Sequence, residues 1–412
     1  MRFVIVGNGI AGVTVARTAL QGDQSLDITL LSREPYAYYP RPRLIDLIAG
    51  DDDPSSIQQY PDDWYAKHGI RQVLGARVTR LSPEEHRVYL SDGSTEAYDV
   101  LVLATGAASW MPPVPGIDSP GVYGLRNMAD ALAIRQRAKQ VRSAAIIGGG
   151  LLGLDLSVAL RAHGLDVSVI ELLPRLLPRQ LDDAGAEILC HAMSERGVGV
   201  LTGHPCSHIR ADGDGLTIAL EDGPELRTDM IVVAVGVRPD VELAASAGIA
   251  CGRGVLVDDH LATSAADVYA VGDVAEFDGR VWGIIPAAVA QARVLGRILA
   301  GDTGATYTDI VPSTTLKVTG IDLASLGEVN PADETAYTAV VRSDEHANRY
   351  CKLVLRQGHI VGAIVMGDRE RVGPISQLIN EDADVSGYEE RLVADDFDLR
   401  AFVREHAKAH GS

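Results

Sequence analysis

Two glycine-rich segments have the residue types and the spacing that bind an anion through the backbone. Residues 7–12 read GNGIAG, and residues 148–153 read GGGLLG. Both segments fit the pattern G-x-G-x-x-G, and its first, second and third glycines are counted here as Gly7, Gly9 and Gly12 or as Gly148, Gly150 and Gly153. The first glycine permits a tight turn, the second lets the backbone approach a pyrophosphate, and the third lets a helix pack closely on a strand. The free N–H groups and the dipole of that helix favour negative charge at its N-terminus. Two such segments in one chain predict two dinucleotide sites.

Both segments lie where a buried strand is expected to pass into a helix. The apolar residues 3–6 and 144–147 are typical of strands in a parallel sheet, and they run directly into the glycines. Helical periodicity follows each segment, and an apolar run at 28–31 or 167–170 then predicts a second strand. The sequence therefore predicts the same strand–helix–strand unit twice.

Composition and charge exclude several classes of protein. The 412 residues allow two or three domains, and 46% hydrophobic and 23% charged residues are ordinary for a globular protein. The net charge of −19 argues against non-specific binding to nucleic acid. No signal peptide precedes the strand at residue 3, and no run of 18 apolar residues predicts a membrane span. We expect a protein of the reducing cytoplasm.

The four cysteines are scattered along the chain. Cys190, Cys206, Cys251 and Cys351 show neither C-x-x-C nor metal-ligand spacing. We therefore expect buried thiols and no metal site.

The second half of each unit is also repeated. Residues 100–106 and 230–236 are apolar runs that end in small residues, and each follows a hairpin-like segment. This parallel indicates an internal duplication of architecture. Residues 268–273 offer a further buried strand that ends at an acid, and alternating strands after residue 307 predict a small α+β domain.

Taken in order, these motifs resemble those of a known superfamily. The resemblance covers residues 1–380 and is to the FAD/NAD(P)-dependent pyridine nucleotide-disulfide oxidoreductases, two-dinucleotide flavoproteins, and among them to the NADH:rubredoxin reductase and nitrite-reductase flavin-module branch. The motifs that carry it are Gly7 to Gly12, Arg41-Pro42-Arg43-Leu44, Ala104-Thr105-Gly106, Gly148 to Gly153, residues 263–273 and Leu316-Lys317-Val318. It implies an α/β fold with two Rossmann-like dinucleotide-binding domains, for FAD and for NAD, plus a small C-terminal α+β domain.

The expected domain boundaries follow from these motifs. We expect the FAD-binding domain at 1–110 and 237–305, the NAD(P)H-binding domain at 111–236, and the C-terminal α+β domain at 306–412.

The resemblance implies that FAD is held by the first module. The residues expected to bind it are Gly7, Gly9, Ile10, Ala11, Gly12, Arg33, Glu34, Arg41, Val78, Thr105, Gly106, Gly272, Asp273 and Ala288. Asp273 is expected to accept a hydrogen bond from a ribityl hydroxyl, with a helix N-cap as the alternative. Because Ser32 stands where many relatives have an acid, Glu34 is the nearest candidate for the ribose ligand. A solvated charge at the end of the strand is the alternative.

The second module is expected to bind the nicotinamide coenzyme. Its expected residues are Gly148, Gly150, Leu151, Leu152, Gly153, Glu171 and Gly236. Glu171 lies 21 positions after Gly150, where a carboxylate accepts both ribose hydroxyls and repels a 2′-phosphate. The sequence therefore favours NADH over NADPH, although Arg175 and Arg179 are close enough in sequence to attract a phosphate.

Thiol chemistry beside the flavin is disfavoured. Relatives that reduce oxygen or peroxide carry a single cysteine where this chain has Arg41, and no cysteine precedes Cys190. Arg41 and Arg43 are expected to bind FAD phosphates or the charge of reduced flavin, with a surface turn as the alternative. Ferredoxin-reductase relatives carry a lysine where this chain has Asp46. Lys317, one of five lysines, is a candidate for stabilising reduced flavin, with a strand lysine that reaches solvent as the alternative.

The function implied by the resemblance is electron transfer. NADH passes a hydride to the flavin, and electrons leave for rubredoxin or a related small redox protein. For an acidic chain, docking of such a carrier needs a local arginine patch, for which Arg369 and Arg371 are candidates. The alternatives are a cysteine-free NADH oxidase, a small-molecule or quinone reductase, and a regulatory flavin-binding protein without turnover. The sequence leaves the acceptor and the oligomeric state open.

Overall fold

The computed structural model describes most of the chain. The described residues are 1–61, 63–310, 313–318, 320–331, 333–344 and 346–409, and the side chains of 313–318, 334 and 406–409 are outside the description.

Short strands and helices alternate along the described chain. The helices are α1 (Ile10–Gly22), α2 (Leu44–Ala49), α3 (Trp64–Lys67), α4 (Met128–Ala138), α5 (Leu151–Ala162), α6 (Asp183–Glu195), α7 (Glu242–Ser246), α8 (Ile285–Leu299), α9 (Arg369–Asn380), α10 (Glu389–Leu392) and α11 (Leu399–Ala409). None of these helices has the length and apolarity needed to cross a bilayer.

The strands are numbered in the same way. They are β1 (Arg2–Val6), β2 (Asp27–Leu31), β3 (Ile70–Val73), β4 (Val78–Ser82), β5 (Arg87–Leu90), β6 (Thr95–Ala97), β7 (Val100–Leu103), β8 (Ala107–Ser109), β9 (Val122–Gly124), β10 (Ser143–Ile147), β11 (Asp166–Glu171), β12 (Val198–Thr202), β13 (Cys206–Asp212), β14 (Gly215–Leu220), β15 (Leu226–Thr228), β16 (Ile231–Val233), β17 (Val237–Pro239), β18 (Val255–Val257), β19 (Val268–Ala270), β20 (Ala275–Phe277), β21 (Ser313–Val318), β22 (Ile321–Gly327), β23 (Thr338–Asp344), β24 (Arg349–Arg356) and β25 (His359–Met366).

The first compact unit comprises residues 1–110, 125–135 and 236–310. Its central sheet is parallel, with the strand order β19-β7-β1-β2-β3. β1 lies between β2 and β7, so the strand order reverses at β1. Open α/β sheets bind ligands beyond the carboxyl ends of the strands at such a reversal. The first glycine segment lies there.

Small residues let α1 and α8 approach each other closely in this unit. A Cβ atom on Gly296 would lie 2.5 Å from the Cβ of Thr18, and one on Gly22 would lie 2.6 Å from the Cβ of Ala300. Larger side chains at these two glycines would push the helices apart.

The second compact unit comprises residues 111–124, 136–235 and 311–412. Its parallel sheet has the order β12-β11-β10-β16-β9, and β10 lies between β11 and β16 in the same kind of reversal. A separate antiparallel sheet of order β21-β22-β25-β24-β23, here called the C-terminal sheet, packs against α9.

The predicted α/β fold class is confirmed. Each strand–helix–strand unit forms as predicted, although α1 begins at Ile10 and α5 at Leu151, directly after the second glycine of each segment. The division into three domains stays a prediction. The two compact units group residues 125–135 with the first module and the C-terminal residues with the second.

Candidate nucleotide-binding sites

The three glycines of the first segment have different reasons to be glycine. Gly7 has φ +123°, and a Cβ there would lie 2.0 Å from the carbonyl oxygen of Ala104. A Cβ on Gly12 would lie 2.0 Å from the carbonyl oxygen of Gly7. Gly9 has an ordinary φ of −90°, and a Cβ there would meet no atom of the described residues within 4 Å. The protein's own packing therefore does not require glycine at position 9, and the open space there would allow the close approach of a ligand.

In the second segment too, packing within the protein requires glycine at the first and third positions of the motif and not at the second. A Cβ on Gly148, which has φ +116°, would lie 2.5 Å from the carbonyl oxygen of Ala234, and one on Gly153 would lie 2.1 Å from that of Gly148. Gly150 again meets nothing within 4 Å. Neither α1 nor α5 has a side-chain cap at its N-terminus, so the N–H groups of the first turn are free to bind an anion.

An amide in the first segment also lacks a protein partner. The Tyr65 hydroxyl donates to Oδ1 of Asn8 at 3.4 Å, while Nδ2 of Asn8 is buried and has no hydrogen-bond partner in the part of the chain that the structure describes. Buried donors are normally paired. A ligand that offers an acceptor at this segment fits the unpaired amide.

Residues expected to bind FAD converge on this segment. A Cβ on Gly272, which has φ +80°, would lie 2.9 Å from the Cβ of Ala11 and 3.8 Å from that of Ala288. The Gly272 N–H donates to Oε1 of Gln291 at 2.8 Å, which fixes this turn to α8. Ala11, Gly272 and Ala288 are thus brought together, while their contacts with FAD stay a prediction.

Asp273 lies in the short turn at 272–274. It is not an N-cap, because the residue at the cap of this turn is Val271 and no side chain bonds there. Its Oδ2 lies 2.7 Å from Nη2 of Arg126, and both side chains are about one-fifth exposed. The alternative of a structural helix cap is therefore wrong.

Arg126 is a residue that the sequence analysis missed. Its Nε donates to the carbonyl oxygen of Ala107 at 2.9 Å, while Nη2 pairs with Asp273. The next residue begins a capping box, in which Asn127 and Asp130 exchange hydrogen bonds of 3.0 Å at the start of α4. The capping box was the feature of the sequence that could have pointed to Arg126, because it fixes the position of this preceding residue.

Glu34 and Arg41 form an ion pair. Nη2 of Arg41 lies 2.7 Å from Oε1 of Glu34, and the Tyr39 hydroxyl donates to Oε2 of Glu34 at 2.5 Å. Burial opposes ionisation of Glu34, but the Arg41 charge and these hydrogen bonds outweigh it and hold the pKa of Glu34 below its usual range. Because the Met128 N–H also donates to this carboxylate, at 3.3 Å, Glu34 is not the solvated strand-end charge of the alternative interpretation.

The remaining residues expected at the FAD site have protein partners. Arg33 lies 3.3 Å from Oδ2 of Asp240. The Thr105 hydroxyl donates to the carbonyl oxygen of Asp240 at 3.0 Å, and the Asp240 N–H donates to that of Gly106 at 3.0 Å. Ile10 begins α1, and Val78 is half-buried at the start of β4. Their roles toward FAD stay predictions.

Glu171 is tied to the second glycine segment. This buried carboxylate accepts the Gly149 N–H at 2.7 Å and the Leu173 N–H at 2.8 Å, one on each oxygen. Each oxygen keeps a lone pair for a ribose hydroxyl. Arg175 pairs with Asp183 at 2.7 Å, and the Asp183 carboxylate would compete with a 2′-phosphate for this guanidinium.

Of the other residues expected at the NAD site, some belong to the second compact unit and one belongs to the first. Leu151 and Leu152 are half-buried in the first turn of α5, in the second unit. Arg179 is exposed. Gly236, with φ +112°, begins a segment of the first unit.

Two further predictions have different outcomes. The side chain of Lys317 in β21 lies outside the described residues, so its role stays a prediction. Arg371 cannot form part of a docking patch, because it is 8% exposed and its guanidinium bonds to Asp368 and to the carbonyl oxygens of Leu392 and Ala394. That interpretation is wrong for Arg371, whereas Arg369 is exposed.

The thiols lie in surroundings that suppress reactivity. All four cysteines are free, and burial raises the pKa of Cys190, Cys206 and Cys251. Burial raises the pKa of Cys351 to about 11. Because the thiolate is the reactive form, none of these cysteines is poised for thiol chemistry at neutral pH.

Comparison with known proteins places these features in a family. Residues 1–292 match the family described as pyridine nucleotide-disulphide oxidoreductase, and residues 312–383 match the rubredoxin NAD+ reductase C-terminal domain. Together the two matches cover both glycine segments and all five strands of the C-terminal sheet.

Individual relatives agree with this family. The chain is 35% identical over 386 residues to a nitrite reductase [NAD(P)H] of Bacillus subtilis, with 93% of this chain and 48% of the relative covered. It therefore spans about half the length of that relative. It is 34% identical to an NADH-rubredoxin oxidoreductase of Clostridium acetobutylicum, with 89% and 91% covered. The crystal structure of a ferredoxin reductase from Rhodopseudomonas palustris is similar with a TM-score of 0.88 and 28% identity, over 98% of this chain and 99% of that one.

Proposed function

Because the chain belongs to the pyridine nucleotide-disulphide oxidoreductase family, we propose that it is an FAD-dependent NADH oxidoreductase that passes electrons to a small redox protein of the rubredoxin kind. The family is enzymatic and its members use FAD and NADH, which confirms the cofactors predicted from the sequence. One observation carries the proposal: the second glycine of each segment, Gly9 or Gly150, has no steric reason within the protein to be glycine.

The first unit is proposed to hold FAD. Bound FAD accepts a hydride and releases electrons singly. The free N–H groups at the start of α1 bind its pyrophosphate, and the unpaired amide of Asn8 donates to an acceptor of the same ligand. The Arg126–Asp273 pair supplies both a donor and an acceptor close to Gly106 and Gly272.

The second unit is proposed to hold NADH. The N-terminus of α5 binds the pyrophosphate, and Glu171 accepts hydrogen bonds from the ribose hydroxyls. A 2′-phosphate would meet the negative charge of Glu171, while Arg175 already pairs with Asp183. NADH is therefore preferred to NADPH.

Electrons are proposed to leave without a thiol relay. The resemblance implies that Arg41 stands where oxygen- and peroxide-reducing relatives carry a reactive cysteine, and Arg41 is held in place by its ion pair with Glu34. The four thiols have raised pKa values and follow residue 189 in the sequence. Free thiols throughout also support a reducing cytoplasm as the place of action.

A comparison of acceptors tests this function. The FAD-loaded protein is supplied with NADH, and its turnover is measured with rubredoxin, with oxygen and with a soluble quinone. We expect rubredoxin to be reduced faster than oxygen or the quinone. Faster turnover with oxygen would support an NADH oxidase, and faster turnover with quinone a small-molecule reductase. Absence of turnover with all three, with flavin that stays reduced, would favour a regulatory flavoprotein.

A further inference from the structure

The segment that follows Glu171, here called the 172–181 loop, is packed onto the second glycine segment. The Leu177 N–H donates to the carbonyl oxygen of Gly149 at 3.2 Å, and the Glu171 carboxylate accepts the Gly149 N–H at 2.7 Å. A Cβ on Gly149 would lie 2.6 Å from Cδ2 of Leu176. The loop therefore holds both the glycine backbone and the carboxylate that we assign to the coenzyme.

One residue of the 172–181 loop, Leu177, has a left-handed backbone conformation that the surrounding residues must maintain. Leu177 has φ +47° and is 1% exposed. A left-handed conformation is unfavourable for a residue with a Cβ atom, because the Cβ crowds the backbone. The Gln180 and Leu181 N–H groups donate to the carbonyl oxygen of Leu177 at 2.9 Å, so the turn depends on the end of the loop.

The end of the loop is fixed to the C-terminal sheet. Oδ2 of Asp182 lies 2.9 Å from Nζ of Lys352 and accepts the Tyr350 hydroxyl at 2.7 Å, and both of these residues belong to β24. Asn330 donates from Nδ2 to the carbonyl oxygen of Leu181 at 3.0 Å. The Asp182 and Lys352 side chains are only 19% and 13% exposed.

Asp182 also caps a helix. Its Oδ1 accepts the Gly185 N–H at 3.1 Å at the start of α6. Burial opposes ionisation of Asp182, but the hydrogen bonds from Tyr350, Lys352 and Gly185 outweigh it and hold the pKa of Asp182 below its usual range. The carboxylate is thus charged at neutral pH, and both of its oxygens are engaged.

We propose that Asp182, Tyr350 and Lys352, here called the Asp182 clamp, set the affinity for NADH by holding the 172–181 loop and Glu171 in the arrangement that binds the ribose. This inference rests on the proposed function of the second unit. The clamp residues are positioning residues, because they act through the loop. The C-terminal sheet, which matches a separate family domain, thereby becomes part of the coenzyme site. By linkage, coenzyme binding also stabilises the clamp.

Two substitutions separate this role from simple support of the fold. Tyr350→Phe removes one hydroxyl from the clamp and keeps the ring that packs near Gly185. Asp182→Asn keeps a side chain that caps α6 well and removes the charge that pairs with Lys352. The matched control is Lys67→Met, which removes an exposed ion pair with Asp63 in the first unit.

The first measurement is the kinetics of flavin reduction by NADH with each FAD-loaded variant. Residues along such a network alter coupling by about 0.5–2 kcal/mol, so the clamp variants should raise KM for NADH by about 2- to 30-fold. The limiting rate at saturating NADH should change less than twofold, and FAD content should not change. Lys67→Met should match the wild type. An unchanged KM in both clamp variants would overturn the proposal.

The second measurement does not depend on activity. Amide hydrogen exchange is followed at Gly149 and Leu177 with and without NAD+. The clamp variants should exchange faster at Leu177 than the wild type, and NAD+ should protect both amides less. Unchanged exchange at Leu177 would overturn the proposal. If NADH fails to reduce the wild-type flavin, the proposed function fails instead, and exchange at Leu177 still decides whether the clamp holds the loop.

Discussion

Alanine at the second glycine of each segment should separate the two nucleotide sites. Among the described residues, a Cβ at Gly9 or at Gly150 meets no atom within 4 Å, and both backbones have conformations open to any residue. The cost to folding is therefore confined to the poorer N-cap, about 0.5–1 kcal/mol. The added methyl group nevertheless stands where the backbone must approach a pyrophosphate. Losing one charge-assisted hydrogen bond costs about 1.5–3 kcal/mol, or about 10- to 150-fold in affinity.

The assay measures both ligands in both variants. Gly9→Ala should purify with little FAD and bind added FAD about 10- to 150-fold more weakly, as read from flavin fluorescence. Gly150→Ala should keep its FAD and show a KM for NADH raised by a similar factor. Gly153→Ala is the contrasting variant, because its Cβ would lie 2.1 Å from the carbonyl oxygen of Gly148 and should destabilise the unit itself. Loss of FAD from Gly150→Ala, with thermal stability unchanged, would refute the separation of the sites.

Three further predictions concern side chains of the two sites. Arg126→Met should lower FAD affinity by about tenfold, because it leaves the partly buried Asp273 carboxylate, an expected FAD ligand, without its partner. Arg126→Lys should restore part of the FAD affinity, as measured by a flavin fluorescence titration. Because Arg41 and its neighbours hold the pKa of Glu34 low, the stabilisation from this carboxylate is present above its usual pKa and is lost as the pH falls through the lowered value. Glu34→Gln should therefore lower the melting temperature at pH 7 and lower it much less at pH 3. An equal decrease in melting temperature at both pH values would exclude a link between the ionisation of Glu34 and stability. Glu171→Ala should raise KM for NADH by about 10- to 100-fold and reduce the preference for NADH over NADPH, as measured by steady-state kinetics with both coenzymes.

The repeated units were predictable because local patterns determine them. A glycine segment between a buried strand and an amphipathic helix leaves little choice of structure, so β1, α1, β10 and α5 follow from the sequence. The convergence of Gly272 and Ala288 on the first segment came from the resemblance. Periodicity alone does not bring residues this far apart in the chain together.

The side-chain pairs were not predictable from local pattern. Arg126 meets Asp273 across 147 positions of sequence, and Lys352 meets Asp182 across 170. Such contacts depend on how sheets and loops pack, which no spacing rule encodes. The same reason explains Arg371, since the neighbouring segment that buries its guanidinium is not visible in the charge pattern.

The central claim is that NADH reduces a bound flavin, which then passes its electrons to a redox protein. Anaerobic stopped-flow absorbance tests it most directly: the flavin band is followed while NADH is added, and rubredoxin is then mixed in. The account predicts that NADH bleaches the flavin band much faster than NADPH does. It also predicts that rubredoxin restores the band and that the number of free protein thiols does not change. A protein that purifies and reconstitutes without flavin, or a flavin that NADH leaves oxidised, would contradict the account.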